Sequence, residues 1–238
     1  MTLASAGPSA YWYLTRSTGA VALLLLTGAL VLGVLDVERV STPAWPRFVL
    51  DSLHRNVALL AMTFLGVHVI TAVLDSFASI SPVDAVIPFV GAYRPFWLGL
   101  GALALDLLAA VTLTSLMRRR LGYRSWRAVH ALTYLSWPVA LLHGLGTGSD
   151  VKSAWLLALV GACLLAVLAA VLARAGASWR EQRERSGAAL GATGAFLLFL
   201  ALWLPGGPLG AGWARRAGTP AKLLSHAHPA VRSRGPRR

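Results

Sequence analysis

The chain has 238 residues, 56% of them hydrophobic and only 13% charged, a balance that excludes an ordinary soluble domain. Its formal net charge of +13 invites a nucleic-acid partner, but the arginines lie in short loops between apolar runs, where membrane topology explains them, so no nucleic acid is expected. The expected partner is the lipid bilayer. Lipid offers backbone groups no hydrogen bonds, so an all-α integral membrane fold follows.

In chain order, residues 11–35, 50–74, 95–117, 127–146, 153–173 and 187–205 each approach the roughly 20 apolar residues that a spanning helix needs. The predicted fold class is therefore a six-transmembrane helix bundle over residues 11–205. A short extracytoplasmic segment, residues 1–10, precedes it, and a basic, Pro- and Gly-rich tail over 206–238 reads as disordered. The first run has no basic stretch before it and no convincing cleavage site, so it is expected to remain as a span rather than a removed signal.

Arg39, Arg47 and Arg55, then Arg118, Arg119, Arg120, Arg124 and Arg127, then Arg174, Arg180, Arg183 and Arg185 cluster in alternate loops. Only Arg16, Arg94 and Lys152 face them from the other side before the tail. The positive-inside rule then places the N-terminus outside, in what is expected to be a bacterial plasma membrane. The tail, with Arg215, Arg216 and Lys222, would lie outside as well, against that rule.

The single Cys163 excludes an internal disulfide, an iron–sulfur cluster held by this chain and a cysteine-based zinc site, and reads as a packing residue. No GxGxxG or Walker sequence occurs, so no flavin or nicotinamide site is expected in this chain. His226 and His228 lie in the tail and read as solvated side chains.

The remaining histidines, His54, His68, His130 and His143, fall within or at the ends of the second and fourth runs, where ionisable groups are costly and usually functional. Separations of 14 and 13 residues correspond to about 20 Å along each axis, so each helix offers one imidazole toward each membrane face. The second and fourth spans run in the same direction, which sets His54 level with His130 on the cytoplasmic side and His68 level with His143 on the outer side. A haem iron takes two axial ligands, so two b-type haems are expected between these helices, one per pair. The second ring nitrogen of each histidine is expected to donate to a carbonyl one turn back. Fourteen residues keep His54 and His68 on one face, but thirteen leave His130 and His143 about 140° apart in an ideal helix. The fourth helix must be bent or rewound, and Pro138 is the visible candidate for the place.

These residues carry a family resemblance. Thr18-Gly19, Arg94-Pro95, Leu113-Thr114-Ser115, Arg119-Arg120-Leu121-Gly122, Trp126, His130, Tyr134 and His143 resemble the ferric reductase-like transmembrane family over roughly residues 15–175. Within it, the layout is similar to the haem-binding membrane subunit of the periplasmic methionine sulfoxide reductase system and to the membrane core of NADPH oxidases and ferric reductases. The resemblance implies that electrons enter on the cytoplasmic face and leave outward. The donor would be a separate protein or small molecule, a flavoprotein or a quinol, and the acceptor an extracytoplasmic ferric chelate or redox protein.

Arg55 and Arg127, beside His54 and His130, are candidate partners for inner haem propionates, and Arg16 and Arg94 for outer ones. Interfacial anchoring would explain the same arginines. Trp126 and Trp137 read as packing or interface aromatics. The outer loop from Asp75 to Asp84 carries two acids that could dock a cationic acceptor. Asp106 is the one acid near a helix centre and receives no role. The alternative function is a transporter, or a structural membrane protein, whose histidines line a metal or proton path or join helices.

Overall fold

The computed structural model describes residues 9–37, 46–179 and 182–226; Arg39, Arg180 and His228 lie outside the described residues. Helices α1 (Ala10–Val37) and α2 (Arg47–Leu74) form the first pair, followed by a one-turn α3 (Pro82–Val86) and by α4 (Pro95–Leu116). Short α5 (Arg118–Leu121) and α6 (Tyr123–His130) lead into α7 (Thr133–Thr147). Helices α8 (Ala154–Ser178) and α9 (Arg183–Gly206) complete the long elements, and α10 (Trp213–Arg216) and α11 (Ala221–His226) follow.

Five of these helices, α1, α2, α4, α8 and α9, are long and apolar enough to cross a membrane. The fourth expected span, 127–146, is instead made of two pieces, α6 and α7, joined through Ala131 and Leu132. There the Leu132 N–H bonds the Val129 carbonyl at 2.9 Å and the Leu135 N–H bonds the Leu132 carbonyl at 3.0 Å. These are three-residue, 3₁₀-type bonds, which turn the chain by about 120° per residue instead of about 100°. The extra rotation runs in the direction that brings His130 and His143 toward one face. Pro138 lies inside α7, seven residues on from Ala131, so the rewinding expected at the proline occurs earlier.

The core forms where α1, α7, α8 and α9 meet. Trp137, Leu141, Leu145, Val160, Cys163 and Leu200 are buried together there, and Cys163 is the packing residue expected. The Trp137 indole donates to Thr27 Oγ1 at 2.9 Å, which satisfies the one polar atom of a buried ring. A second cluster, Leu100, Ala104 and Val139, joins α4 to α7. Helix α2 packs on α1 and faces α4 and α7 across a slot lined by Leu65, His68, Gly101, Leu105, Leu108 and His143.

The tail expectation needs correction as far as residue 226. Trp213 tilts against Trp97 with ring centres 5.2 Å apart and donates its indole N–H to the Gly146 carbonyl at 3.1 Å. The Arg94 N–H bonds the Gly218 carbonyl at 3.1 Å, and the Arg94 Nε donates to Thr219 Oγ1 at 2.9 Å. Residues 213–219 therefore cap the end of the bundle that holds His68 and His143.

Candidate cofactor site

The four histidines meet in two pairs. His54 of α2 faces His130 of α6 with ring centres 6.2 Å apart, and His68 of α2 faces His143 of α7 at 6.3 Å. The ring planes are steeply inclined, by 68° and 84°. Two metal–imidazole bonds of about 2 Å, plus roughly 1 Å from nitrogen to ring centre on each side, total about 6 Å. Each gap is therefore the size that one bis-imidazole iron needs. Among the described residues no group of three or more His, Cys, Asp or Glu side chains comes together. A bare protein-bound metal ion usually wants three or four ligands, whereas a haem iron wants two.

Three of the rings are held in one way. His54 Nδ1 lies 2.9 Å from the Ala29 carbonyl, His68 Nδ1 2.7 Å from the Thr15 carbonyl, and His143 Nδ1 2.9 Å from the Trp97 carbonyl. Each carbonyl belongs to the neighbouring antiparallel helix, not to the histidine's own helix as expected. The reason is a glycine four residues beyond each carbonyl. A Cβ on Gly33 would lie 3.2 Å from His54 Cε1, one on Gly19 2.9 Å from His68 Nδ1, and one on Gly101 2.5 Å from His143 Nδ1. A bare backbone lets the ring lie against the helix and reach the carbonyl one turn below. With Nδ1 donating there, Nε2 is the nitrogen left for an iron.

His130 is held differently. Its Nδ1 is 3.4 Å from Ser115 Oγ, a hydroxyl that also accepts the Trp126 indole N–H at 3.2 Å. The ring stacks on Trp126 at 5.0 Å, so Trp126 packs against the candidate ligand itself.

The arginines divide by end. At the His68/His143 end, Arg16 pairs with Asp150 and Ser149 and lies over the Trp12 ring. Arg94 is 5% exposed and donates to the Gly146 and Thr147 carbonyls at 3.0 Å each. It thereby closes the C-terminal end of α7, where helix carbonyls lack partners. Tyr93 lies between these two cations, and burial pushes its phenol above the usual range despite them. At the His54/His130 end, Arg55 and Arg127 are exposed.

The acids of the outer loop are already engaged. Asp75 accepts from the Ser9 hydroxyl at 2.8 Å and is buried, and Asp84 forms a capping box with Ser81 at the start of α3. Neither stands ready to dock a cation. Asp106 is exposed in the middle of α4.

With this geometry in place, comparison with known proteins is informative. The family model described as "Ferric reductase like transmembrane component" matches residues 18–141, just over half of the chain. The chain belongs to this family. The match covers Gly19, Gly33, His54, His68, Gly101, Ser115 and His130, and ends just before His143. The protein-methionine-sulfoxide reductase heme-binding subunit MsrQ of Ralstonia nicotianae is 31% identical over 132 residues. Those residues are 55% of this chain and 57% of that protein, so the likeness spans little more than half of the relative. No solved structure matches the chain.

Proposed function

We propose that this protein is a di-haem b-type cytochrome that carries electrons across the membrane, with one haem between His54 and His130 and the other between His68 and His143. The observation that carries the reading is the pair of histidine gaps at 6.2 and 6.3 Å. The relative's printed name, a heme-binding subunit of a reductase, supports it independently. In this reading α6 and α7 together make the fourth of six crossings. The arginine-rich end, with His54 and His130, faces the cytoplasm, and the capped end, with His68 and His143, faces outward.

Bound haem would supply one-electron chemistry. The chain's own residues would set its terms: the four histidines would hold it, backbone carbonyls fix the Nδ1 side of His54, His68 and His143, and leucines line the slot. Filling both axial positions suits an electron carrier rather than an oxygen-binding site. Arg55 and Arg127 are the propionate partners we assign to the inner haem. Arg16 and Arg94, already bonded to protein groups, could at most share their remaining donors with the outer one. The donor is a separate cytoplasmic-side flavoprotein or quinol, and the acceptor an extracytoplasmic ferric chelate or redox protein.

Purified protein expressed with ample haem should contain about two b-type haems per chain and give a low-spin, six-coordinate spectrum. A haem-free preparation would reject the reading and favour the transporter alternative. The isolated chain should not oxidise NADH or NADPH, because the electron donor must come from elsewhere. Steady turnover of NADPH with a ferric chelate alone would contradict that.

A further inference from the structure

Asp106 lies in the middle of α4, which runs from Pro95 to Leu116, so about 15 Å of helix separates it from either end. The hydrocarbon core that such a helix crosses is about 30 Å thick, which puts this carboxyl group near mid-depth. The side chain is exposed, and among the described residues it has no hydrogen bond or ion pair. It also faces away from the slot between the histidines. Leu105 and Leu108 line that slot, and at about 100° per residue Asp106 points about 100° from the first and about 160° from the second.

The face that carries Asp106 leaves room for another helix. Ala109 and Ala110 follow within one turn, and Leu113, a turn further on, is 60% exposed. Small side chains beside a polar one let a second helix come close enough to bond it. An ionisable group at this depth is costly against lipid alone and calls for a partner. A second copy of this chain, lying the same way up, does not supply one. A twofold contact would set Asp106 against Asp106, and like charges repel. The copy's Arg16 is already paired with Asp150, and its Arg94 is buried against carbonyls. Its Arg55 adjoins His54, which is level with His130 and so with Ser115, about 13 Å along the axis from Asp106.

We propose that the Asp106 face of α4 docks a transmembrane helix of a different protein, which presents one basic side chain to Asp106 at mid-depth and apolar side chains to Ala110 and Leu113. Charge complementarity selects the basic side chain, and the depth selects a membrane-embedded segment over a soluble partner. The inference rests on α4 crossing a membrane and not on haem ligation.

The test uses the full-length protein in lipid vesicles and, as probe, a synthetic leucine–alanine helix of about 20 residues with one central arginine. Association measured by fluorescence energy transfer should be about tenfold or more tighter than for the same helix with a central leucine. Asp106→Leu should abolish that difference without lowering Tm, and Asp106→Glu should keep it. Ala110→Trp, which leaves the carboxyl group but blocks close approach, should weaken it. Leu60→Asp/Asp106→Leu moves the acid to an exposed mid-depth position of α2 and should not restore binding. In native membranes, a photo-crosslinking side chain at position 113 should give a discrete product that Asp106→Leu removes. Equal binding of both helices, full restoration by Leu60→Asp/Asp106→Leu, a lowered Tm in Asp106→Leu, or a crosslinked product of twice the chain's mass would each overturn the proposal. Haem content of the same samples reports on the electron-transfer reading separately.

Discussion

The two histidine pairs have nearly the same spacing but different supports. In the His68/His143 pair both Nδ1 atoms reach a backbone carbonyl, at 2.7 and 2.9 Å, and both rings lie on a glycine. In the His54/His130 pair only His54 is held so; His130 has a shared serine hydroxyl at 3.4 Å and the face of Trp126. The first pair also lies beneath a closed end, where Arg16, Arg94 and residues 213–219 tie the helix termini together. The second lies at an open end with exposed arginines. A backbone carbonyl cannot rotate away, whereas a hydroxyl on a side chain can, so the first pair is preorganised and the second adjustable. That division would suit the proposed carrier, whose His54/His130 end receives electrons from a separate donor in that reading.

The most severe way to probe the comparison is to delete ligands. His68→Ala and His143→Ala should each remove or convert the same haem, and His54→Ala and His130→Ala the other, seen in redox titration of the visible spectrum. If His54→Ala and His68→Ala gave matching spectra and potentials instead, the level pairing would be wrong. Next comes the closed end. Arg94→Ala removes charged hydrogen bonds to two α7 carbonyls and to Thr219, and should cost about 2–4 kcal/mol. A lowered Tm and faster proteolysis beyond Gly206 would show it; an unchanged cleavage pattern would mean that residues 213–219 are not held by Arg94.

Glycine substitutions grade the cradles. A methyl group at residue 101 would meet His143 at 2.5 Å, at residue 19 His68 at 2.9 Å, and at residue 33 His54 at 3.2 Å. Haem retention should therefore fall most in Gly101→Ala, by about 10–100-fold in affinity, less in Gly19→Ala and least in Gly33→Ala. Equal losses in all three, measured by haem transfer to apomyoglobin, would remove the cradle argument.

Much of this site is readable in the sequence, because the His54 and His68 spacing and the apolar runs follow from helix geometry alone. Other parts are not. The break at Ala131–Leu132 carries no proline or glycine, while Pro138, which does stand out, sits within α7. The order of residues 213–219 depends on Trp97, Arg94 and Gly146, distant in sequence, and a Pro- and Gly-rich composition hides such contacts. The expected Nδ1 partners are carbonyls one turn back on the same helix, whereas those of His54, His68 and His143 lie on the neighbouring helix. A usable signal existed: Gly19 and Gly33 are fourteen residues apart, as are His54 and His68, and an antiparallel pair with matched spacings brings each glycine to one histidine.

The same spacing on α4 yields the subtlest expectation. Gly101 and Ser115 are also fourteen residues apart, so Ser115 stands where the cradle pattern would put a second glycine, and the carbonyl one turn below it is that of Val111. That carbonyl accepts the Thr114 hydroxyl at 3.1 Å, and Ser115 presents to His130 its own hydroxyl, already engaged by Trp126, in exchange. A weaker acceptor at Nδ1 leaves the imidazole less electron-rich and so stabilises ferric haem less. Ser115→Gly should expose the Val111 carbonyl to His130 and lower the potential of the His54/His130 haem. Ser115→Ala removes the hydroxyl without opening the carbonyl, and should raise that potential. The other haem should stay unchanged in both. Redox titration with the two haems resolved would decide it, because a merely structural serine would give shifts of the same sign in the two variants, or none.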